Sequence, residues 1–194
     1  GPDPKATRFA LEQLALHNAK ATFFCIGKNV VAHPDIYQQI INEGHAVGNH
    51  TQNHLNGWKV NSEQYITNVI DAQKHIKSNL FRPPYGRITK KKADAIKKLG
   101  LKIIMWDVLC GDFDPKIDPK KCWENIAKNV TPGSIIVFHD SSKAWEKMSY
   151  TLPLTLAMCR EKKWNLNAKE EYQIRGKYPI QLNLLFDFLN QPTK

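Results

Sequence analysis

The sequence has 194 residues, of which 42% are hydrophobic and 10% aromatic, and its formal net charge is +10. This composition excludes an intrinsically disordered chain, and the length suits one domain that buries about 70% of the surface its unfolded chain would expose. No apolar run approaches the roughly 18 residues that span a bilayer, and no charged and then apolar leader opens the sequence, so we expect no transmembrane segment in it.

Apolar periodicity and turn residues predict helices and strands that alternate along the chain. The first half is predicted to contain a helix around 9–16, a strand at 21–26, a helix from Pro34 to Gly44, the strand "HAVGNH", and a helix from the N-cap Ser62 to about Lys77. The second half is predicted to contain the strand end "LFRPPYG", a helix capped by Thr89, the strand "LKIIMWDV", a helix from Pro119, the strand "GSIIVFHD", a helix over 143–163 and a last helix near 182–189.

Strands that alternate with helices of this length are typical of a parallel sheet, either open or closed into a barrel. Four polar clusters, "NHTQNH", "RPPYG", "WDVLCGDF" and "FHD", each follow a predicted strand. Because the carboxyl ends of parallel strands form the active face of such folds, we expect the four clusters to meet at one site.

The densest positive charge lies in the segment Lys90 to Gly100. Such a run can attract an anionic polymer, either a cell-wall glycan or a nucleic acid, or a membrane face. It can also be the solvated face of a helix, because Ala93, Ile96 and Leu99 supply a buried stripe. We favour the solvated helix and expect no nucleic-acid partner, since no aromatic residues interleave with the lysines.

The four cysteines form no CxxC pair and no zinc-ribbon spacing. Cys25 lies within the apolar run "ATFFCIG" and is predicted to be a small buried side chain. Cys110 and Cys122 could form a disulfide in an oxidising compartment, but their spacing does not decide whether they do.

Two histidines, His50 and His54, are four residues apart in the loop after the second predicted strand. Neutral imidazole is a common zinc ligand, and two rings at this spacing can bind one ion. The pair by itself is equally typical of an exposed polar loop. A catalytic zinc would need a third ligand, such as a carboxylate, and an open position for water.

His139 follows the apolar residues 135–138 and should emerge from the core at the end of a strand. A histidine in that position can donate a proton to a leaving group near neutral pH, or it can be a core side chain bound to a backbone carbonyl. Asp112, in the loop after another strand, could hold the His139 ring, or it could be an ordinary turn residue.

The string "RPPYG" predicts a rigid turn. Pro83 and Pro84 fix the backbone, and Gly86 allows the tight bend. Arg82 presents a planar guanidinium that suits a carboxylate, and a turn of this kind can direct a backbone N–H at a developing oxyanion. The same string could also be a loop stiffened only for stability.

Together and in this order, "GPDPKAT", "KATFFCIG", "EGHAVGNHTQNHL", "FRPPYGRIT", "WDVLCGDF" and "GSIIVFHD" resemble the motifs of the polysaccharide deacetylases, the NodB-homology domain of carbohydrate esterase family four. The resemblance covers about residues 1–140 and the helix that follows. It implies an α/β fold, a distorted (β/α) barrel of about seven parallel strands whose first strand is missing from this chain. It also implies a catalytic domain at 1–163 and a C-terminal extension at 164–194 packed on the same domain.

The resemblance implies a divalent metal, most of all Zn²⁺, with Co²⁺ or other ions as alternatives. His50 and His54 would bind it, and His139 would be the catalytic acid with Asp112 as its partner carboxylate. The family's first motif reads Thr-Phe-Asp-Asp-Gly-Pro, so the two aspartates that serve as base and third metal ligand are expected immediately upstream of Gly1.

The remaining implied roles concern the substrate. Arg82 would orient the catalytic base, and the backbone N–H of Tyr85 would contribute to the oxyanion site. Pro83, Phe113 and Val137 would line the substrate site. Phe113 stands where the family usually has Trp, and Val137 replaces a Leu of the acetyl pocket, so a slightly bulkier acyl group is expected to fit.

The expected activity is metal-dependent removal of acetyl groups from a polysaccharide that contains N-acetylglucosamine, either peptidoglycan or chitin oligomers, outside the cytoplasm. One alternative is a catalytically inactive barrel that only binds carbohydrate. Another is an esterase or amidase of the same fold that acts on O-acetyl xylan or on a non-sugar amide. The oligomeric state and the role of 164–194 do not follow from the sequence.

Overall fold

The computed structural model describes residues 1–164, Leu166 and the backbone of 181–185. The helices in this part are α1 (Ala6–Leu16), α2 (Gly27–Ala32), α3 (Pro34–Asn42), α4 (Ser62–Gln73), α5 (Lys90–Lys98), α6 (Pro119–Asn129) and α7 (Trp145–Glu161), with a short 3₁₀ turn at Pro84–Gly86. The strands are β1 (Ala21–Cys25), β2 (Ala46–Asn49), β3 (Leu80–Phe81), β4 (Lys102–Ile103), β5 (Val108–Leu109), β6 (Ile135–Phe138) and β7 (Gln181–Leu185). None of these helices is long and apolar enough to cross a bilayer.

The seven strands form one sheet in the order β4-β3-β2-β1-β7-β6-β5, and every neighbouring pair is parallel. Helices join the successive strands from β1 to β4 and from β5 to β7, as the βαβ connection requires. The predicted α/β class and the number of about seven parallel strands are therefore confirmed.

The two edge strands of this sheet, β4 and β5, are separated by only four residues. A segment of that length spans at most about 18 Å, so the two edges must lie close to each other and the sheet must curve into a barrel. The backbone N–H of Ile104 bonds to Phe81 of β3 at 2.8 Å, whereas that of Asp107 bonds to Ile135 of β6 at 3.0 Å. The chain thus crosses the open seam at 104–107, and the barrel is distorted and not closed.

This seam corrects one predicted element. The segment "LKIIMWDV" was expected to be one strand, but it contributes β4 to one edge of the sheet and β5 to the other. Its apolar residues fit either interpretation, because a continuous apolar run does not show where a strand changes its partner.

The last strand corrects a second predicted element. A helix was expected near 182–189, since Leu182, Leu185 and Leu189 have helical spacing. The backbone of Gln181–Leu185 is instead a strand that pairs with β1 on one side and β6 on the other. The pairing of this segment with a strand on each side outweighs the helical spacing of its leucines. Residues 186–189 of that prediction, and most of the expected extension at 164–194, lie outside the described residues.

Helix boundaries agree more closely with the sequence. The N-cap of α4 is Asn61, whose side chain accepts a hydrogen bond from the Gln64 N–H at 2.8 Å, and not Ser62, the first helical residue. The helix ends at Gln73, four residues before the predicted end. Thr89 caps α5 as predicted, with its side chain accepting from the Lys92 N–H.

Two apolar layers position the site. Outside the sheet, α1, α6 and α7 cover the strands with buried side chains such as Leu14, Ile126 and Met148. A separate cluster contains Phe24, Leu80, Ile104 and Val137. Its members come from four different elements, β1, β3, the seam and β6, so this cluster holds the strands in the curvature that brings their carboxyl ends together.

All four cysteines are buried free thiols. The prediction that Cys25 is buried is confirmed, and burial raises its pKa to about 12. Burial likewise raises the pKa of Cys159 to about 11. The side chains of Cys110 and Cys122 contact each other through a hydrogen bond between their thiols. A buried thiol of raised pKa is a poor nucleophile, so Cys25 and Cys159 act here as packing residues.

Candidate active site

The polar clusters predicted from the sequence follow the carboxyl ends of β2, β3, β5 and β6. His50 follows the last residue of β2, Arg82 follows β3, Asp112 lies in the loop after β5, and His139 follows β6. Because all strands are parallel, these side chains lie at one edge of the barrel. The structure brings them together in two pairs, His50 with His54 and His139 with Asp112.

The two histidines of the first pair point their Nε2 atoms at each other across 3.2 Å. The Nδ1 atom of His50 lies 2.6 Å from the carbonyl oxygen of Arg82. A carbonyl oxygen can only accept, so Nδ1 carries the proton and Nε2 presents its lone pair. This is the arrangement in which a metal-binding histidine is oriented by a backbone carbonyl.

Asn49 holds the histidine loop in place. Its side-chain oxygen accepts a hydrogen bond from the Thr51 N–H at 2.8 Å, and its amide donates to the Val69 carbonyl in α4 at 3.0 Å. Thr51 and His54 both have positive φ, +64° and +57°, which is rare for residues other than glycine. Such strained conformations persist only where surrounding contacts impose them, and they concentrate at functional sites. Asn49 has no role predicted from the sequence, although a polar residue at the end of a predicted strand was a usable signal.

The second pair joins β6 to the loop after β5. The Asp112 carboxylate binds His139 twice, with Oδ1 2.6 Å from the ring Nδ1 and Oδ2 2.7 Å from the backbone N–H. Both side chains are almost completely buried. The ring of Phe113 packs edge-on against His139 with 4.9 Å between ring centroids. The predicted contact between Asp112 and His139 is therefore present, and it leaves Nε2 as the ring nitrogen available for proton transfer.

Arg82 is fully buried and spans the barrel interior. Its guanidinium donates to the Ile104 carbonyl at 2.9 Å and to the Met105 carbonyl at 2.7 Å, and it lies 4.2 Å from the ring centroid of Phe24. These contacts fix the start of the seam to β3 and β1. The family resemblance implies that Arg82 orients the catalytic base, and this role stays a prediction.

The turn after Arg82 places Tyr85 over the first histidine pair. Tyr85 has φ of +60°, and its ring lies 4.7 Å from that of His54. Gly86 follows with φ of +65°, and a Cβ at this position would come within 2.5 Å of the Trp106 ring. Pro83 is buried at the start of the turn. The tight turn expected of "RPPYG" is thus present. Both Tyr85 and Gly86 adopt a left-handed backbone conformation.

Val137 is completely buried in the cluster with Phe24, Leu80 and Ile104, and its backbone carbonyl accepts a hydrogen bond from Cys110 at 3.2 Å. Val137 lies in β6, two residues before His139. The expected roles of Val137, Pro83 and Phe113 in binding the acetyl group stay predictions.

Asp140, directly after His139, was not singled out by the sequence analysis. Its carboxylate is buried and accepts a hydrogen bond from the Thr7 hydroxyl at 2.6 Å, which ties α1 to the end of β6. Burial raises the pKa of Asp140 to about 6, and the Thr7 hydrogen bond partly opposes that shift. A buried carboxyl at this position helps to fix the backbone that carries His139.

The donor atoms of the first pair fit a metal ion. Two nitrogens bound tetrahedrally to one zinc at about 2.0–2.1 Å would lie about 3.4 Å apart, close to the 3.2 Å between the two Nε2 atoms. Within the described residues, no group of three His, Cys, Asp or Glu side chains forms a complete ligand set. His50 and His54 could thus supply two nitrogen ligands to an ion, and their role as metal ligands stays a prediction.

Comparisons with known proteins agree with this geometry. A family model described as "Polysaccharide deacetylase" matches residues 1–104. A peptidoglycan-N-acetylglucosamine deacetylase of Bacillus cereus is 34% identical over 147 residues, which cover 73% of this chain and 53% of that protein. A chitooligosaccharide deacetylase of Azorhizobium caulinodans is 35% identical over 148 residues, 72% of this chain and 70% of that protein.

Among solved structures, the chain resembles a peptidoglycan N-acetylglucosamine deacetylase crystallised with an N-hydroxybenzamide derivative. The TM-score is 0.80 at 27% identity, and the match covers 94% of this chain and 81% of the other. The chain spans about half the length of the Bacillus cereus relative.

Proposed function

Because the chain belongs to the polysaccharide deacetylase family, we propose that it is a metal-dependent hydrolase that removes acetyl groups from N-acetylglucosamine units of a polysaccharide. The observation that carries the proposal is the convergence of the His50 and His54 Nε2 atoms, with the His50 tautomer set by the Arg82 carbonyl. The Nε2 lone pair of His50 faces the His54 ring in a buried position, where a shared ion would satisfy it.

In the reaction, water adds its oxygen to the acetamide carbonyl carbon, the C–N bond breaks, and the products are acetate and a free amine. A divalent ion held by His50 and His54 would polarise the carbonyl and lower the pKa of water. The departing nitrogen needs a proton. His139 can supply it from Nε2, because Asp112 accepts the Nδ1–H and holds the ring.

The finer assignments belong to the same proposal. We infer that the ion is Zn²⁺, since two imidazoles suit zinc better than magnesium or calcium. We expect Arg82 to orient the catalytic base and the backbone N–H of Tyr85 to contribute to the oxyanion site, as the family resemblance implies. The base itself and the third metal ligand are the two aspartates expected upstream of Gly1.

The substrates named for the relatives are peptidoglycan and chitooligosaccharides, which support an N-acetylglucosamine polymer as the substrate here. A cell-wall polymer implies an extracytoplasmic location. The net charge of +10 agrees with an anionic polymer, because peptidoglycan carries peptide carboxylates.

The test is acetate release from N-acetylglucosamine oligomers and from soluble peptidoglycan fragments, using the longest natural form of the protein with zinc added. Release should stop with a chelator and return when zinc is restored. His139→Ala should lower kcat by roughly 10²–10⁴-fold, as expected for loss of a general acid. His75→Ala, which removes an exposed histidine after α4, should leave kcat unchanged.

The outcomes separate the alternative functions. Oligosaccharide binding without acetate release, in a protein that holds its metal, would indicate an inactive carbohydrate-binding barrel. Acetate release from O-acetyl xylan but not from N-acetylglucosamine oligomers would indicate an esterase. Release that persists in His139→Ala would remove His139 from the proposed mechanism.

A further inference from the structure

Trp58 lies in the loop between β2 and α4, four residues after His54, and leaves 63% of its surface in solvent. An indole is large and apolar, and its burial would stabilise the fold. A tryptophan exposed at the rim of a candidate active site is therefore better explained by a ligand than by folding.

The exposed indole of Trp58 is held in its orientation by a neighbouring side chain. The guanidinium of Arg87, from the loop after β3, lies 5.0 Å from the Trp58 ring centroid. A cation at this distance stabilises the ring orientation through its negative face. Arg87 lies over one face of the indole, so a ligand that stacks on Trp58 would use the opposite face.

The loop that carries Trp58 is fixed from below by a buried lysine. Lys92 of α5 is 4% exposed, and its ammonium donates to the carbonyls of Gly57 and Val60 at 2.7 Å each. The backbone N–H of Trp58 donates to the side-chain oxygen of Asn56 at 2.9 Å. These bonds hold both sides of Trp58, so the ring is presented at the surface without further ordering.

The loops of β2 and β3 are in direct backbone contact at this point. A Cβ on Gly57 would lie only 2.3 Å from the Arg87 carbonyl oxygen, so only glycine permits the approach. On the other side, Tyr85 packs on His54 at 4.7 Å, and Arg87 is two residues beyond Tyr85, at most about 7 Å along the chain. Trp58 and Arg87 thus lie on the rim beside the histidine pair.

We propose that Trp58, supported by Arg87, is a sugar-binding platform on which a pyranose ring of the substrate stacks while a unit further along the same chain, beyond the immediate neighbour of the stacked ring, lies at His50 and His54. The inference rests on the proposed function and extends it, because it predicts preference for an oligosaccharide over a mono- or disaccharide. A flat, rigid aromatic face matches the apolar face of a pyranose, and aromatic side chains line binding sites of this kind.

The test compares kinetics on N-acetylchitobiose and N-acetylchitopentaose. In Trp58→Ala, KM for the pentamer should rise about tenfold with kcat unchanged within about twofold, because a lost stacking contact affects substrate and transition state alike. The dimer should be unaffected. Trp58→Phe should keep most of the affinity, and Tyr150→Ala, which removes a 48% exposed aromatic on α7, is the matched control. Thermal unfolding of each variant checks that the loop is still folded.

A KM for the pentamer that does not change, or an equal loss on dimer and pentamer, would overturn the platform. A wild-type protein that releases no acetate would contradict the proposed function without deciding this inference. In that case calorimetric titration with N-acetylchitopentaose decides it: weaker binding in Trp58→Ala, but not in Tyr150→Ala, supports the platform, and equal binding refutes it.

Discussion

Asp112 contacts His139 through both carboxylate oxygens, one on the ring Nδ1 at 2.6 Å and one on the backbone N–H at 2.7 Å. One carboxylate thus accepts hydrogen bonds from two donors, the ring Nδ1–H and the backbone N–H of His139. The first contact sets the tautomer of His139, and the second fixes the position of its backbone at the end of β6.

This double contact predicts the effect of Asp112→Asn. An amide has only one acceptor oxygen, so its NH₂ group must face either the ring nitrogen or the backbone N–H. If it faces the ring, Nδ1 must accept and the proton moves to the wrong nitrogen. We expect kcat for acetate release to fall by roughly 10²-fold or more with KM little changed. Asp114→Asn is the control, and an unchanged kcat in Asp112→Asn would contradict the role.

The histidine pair predicts metal content. His54→Ala removes one of the two converging nitrogens, so the variant should lose the stoichiometric zinc that wild-type protein retains after dialysis. Elemental analysis measures this without any activity assay. Added zinc at about a hundred times its Kd should stabilise the wild type by about 2.7 kcal/mol, seen as a higher Tm, and should not stabilise His54→Ala. Full zinc content in that variant would show that the ion binds elsewhere, and His75→Ala should behave as wild type.

The buried lysine predicts a loss of stability. Lys92→Met keeps the length of the side chain but removes the donor that binds the carbonyls of Gly57 and Val60. Hydrogen bonds from a charged group contribute about 1.5–3 kcal/mol each, and the cost of burying the ammonium offsets part of the two, so we expect the free energy of unfolding to fall by about 2–4 kcal/mol in urea titration. Lys91→Met, at an exposed neighbouring position, should change it by less than about 0.5 kcal/mol. Equal values for the two variants would show that Lys92 does not fix the loop.

His45 predicts how stability depends on pH. Burial lowers the pKa of His45 from its ordinary 6.5 to about 4, with the positive charge of Lys20 acting in the same direction and Glu43 opposing it. The neutral ring also accepts a hydrogen bond from the Ala21 N–H at 3.2 Å. Since the folded pKa is depressed, this contribution is complete above about pH 6.5 and is lost as pH falls toward 4, with a limit of about 3 kcal/mol.

The measurement is Tm between pH 7.5 and 4 for wild type and His45→Gln, which keeps a side-chain acceptor but does not titrate in this range. The wild type should lose stability over this range faster than the variant. Parallel curves would show that His45 is not buried in the neutral form, and His75→Gln serves as the control for an exposed ring.

Much of the site was predictable from the sequence because each functional side chain follows a strand. The apolar run that ends at Phe138 predicts where His139 emerges, and the "NHTQNH" loop places two imidazoles four residues apart. Local signals of this kind depend on strand ends, turn residues and caps, which a short stretch of chain specifies by itself.

Lys92 shows the opposite case. It belongs to a run of lysines whose pattern predicts a solvated helix face, yet it is buried because two carbonyls of another loop converge on its ammonium. Trp58 was likewise without a predicted role, since its exposure and its contact with Arg87 depend on two loops that meet only in the folded barrel.

The sequence by itself determined the family, the alternation of strands and helices, and the residues that stand at the strand ends, since all of these are local or linear features. Only the tertiary structure decided that "LKIIMWDV" crosses the open seam and that Gln181–Leu185 lies between β1 and β6. The physical reason is that strand pairing is a long-range interaction. The energy of a strand comes from the neighbours on both sides, and those neighbours are distant in the chain.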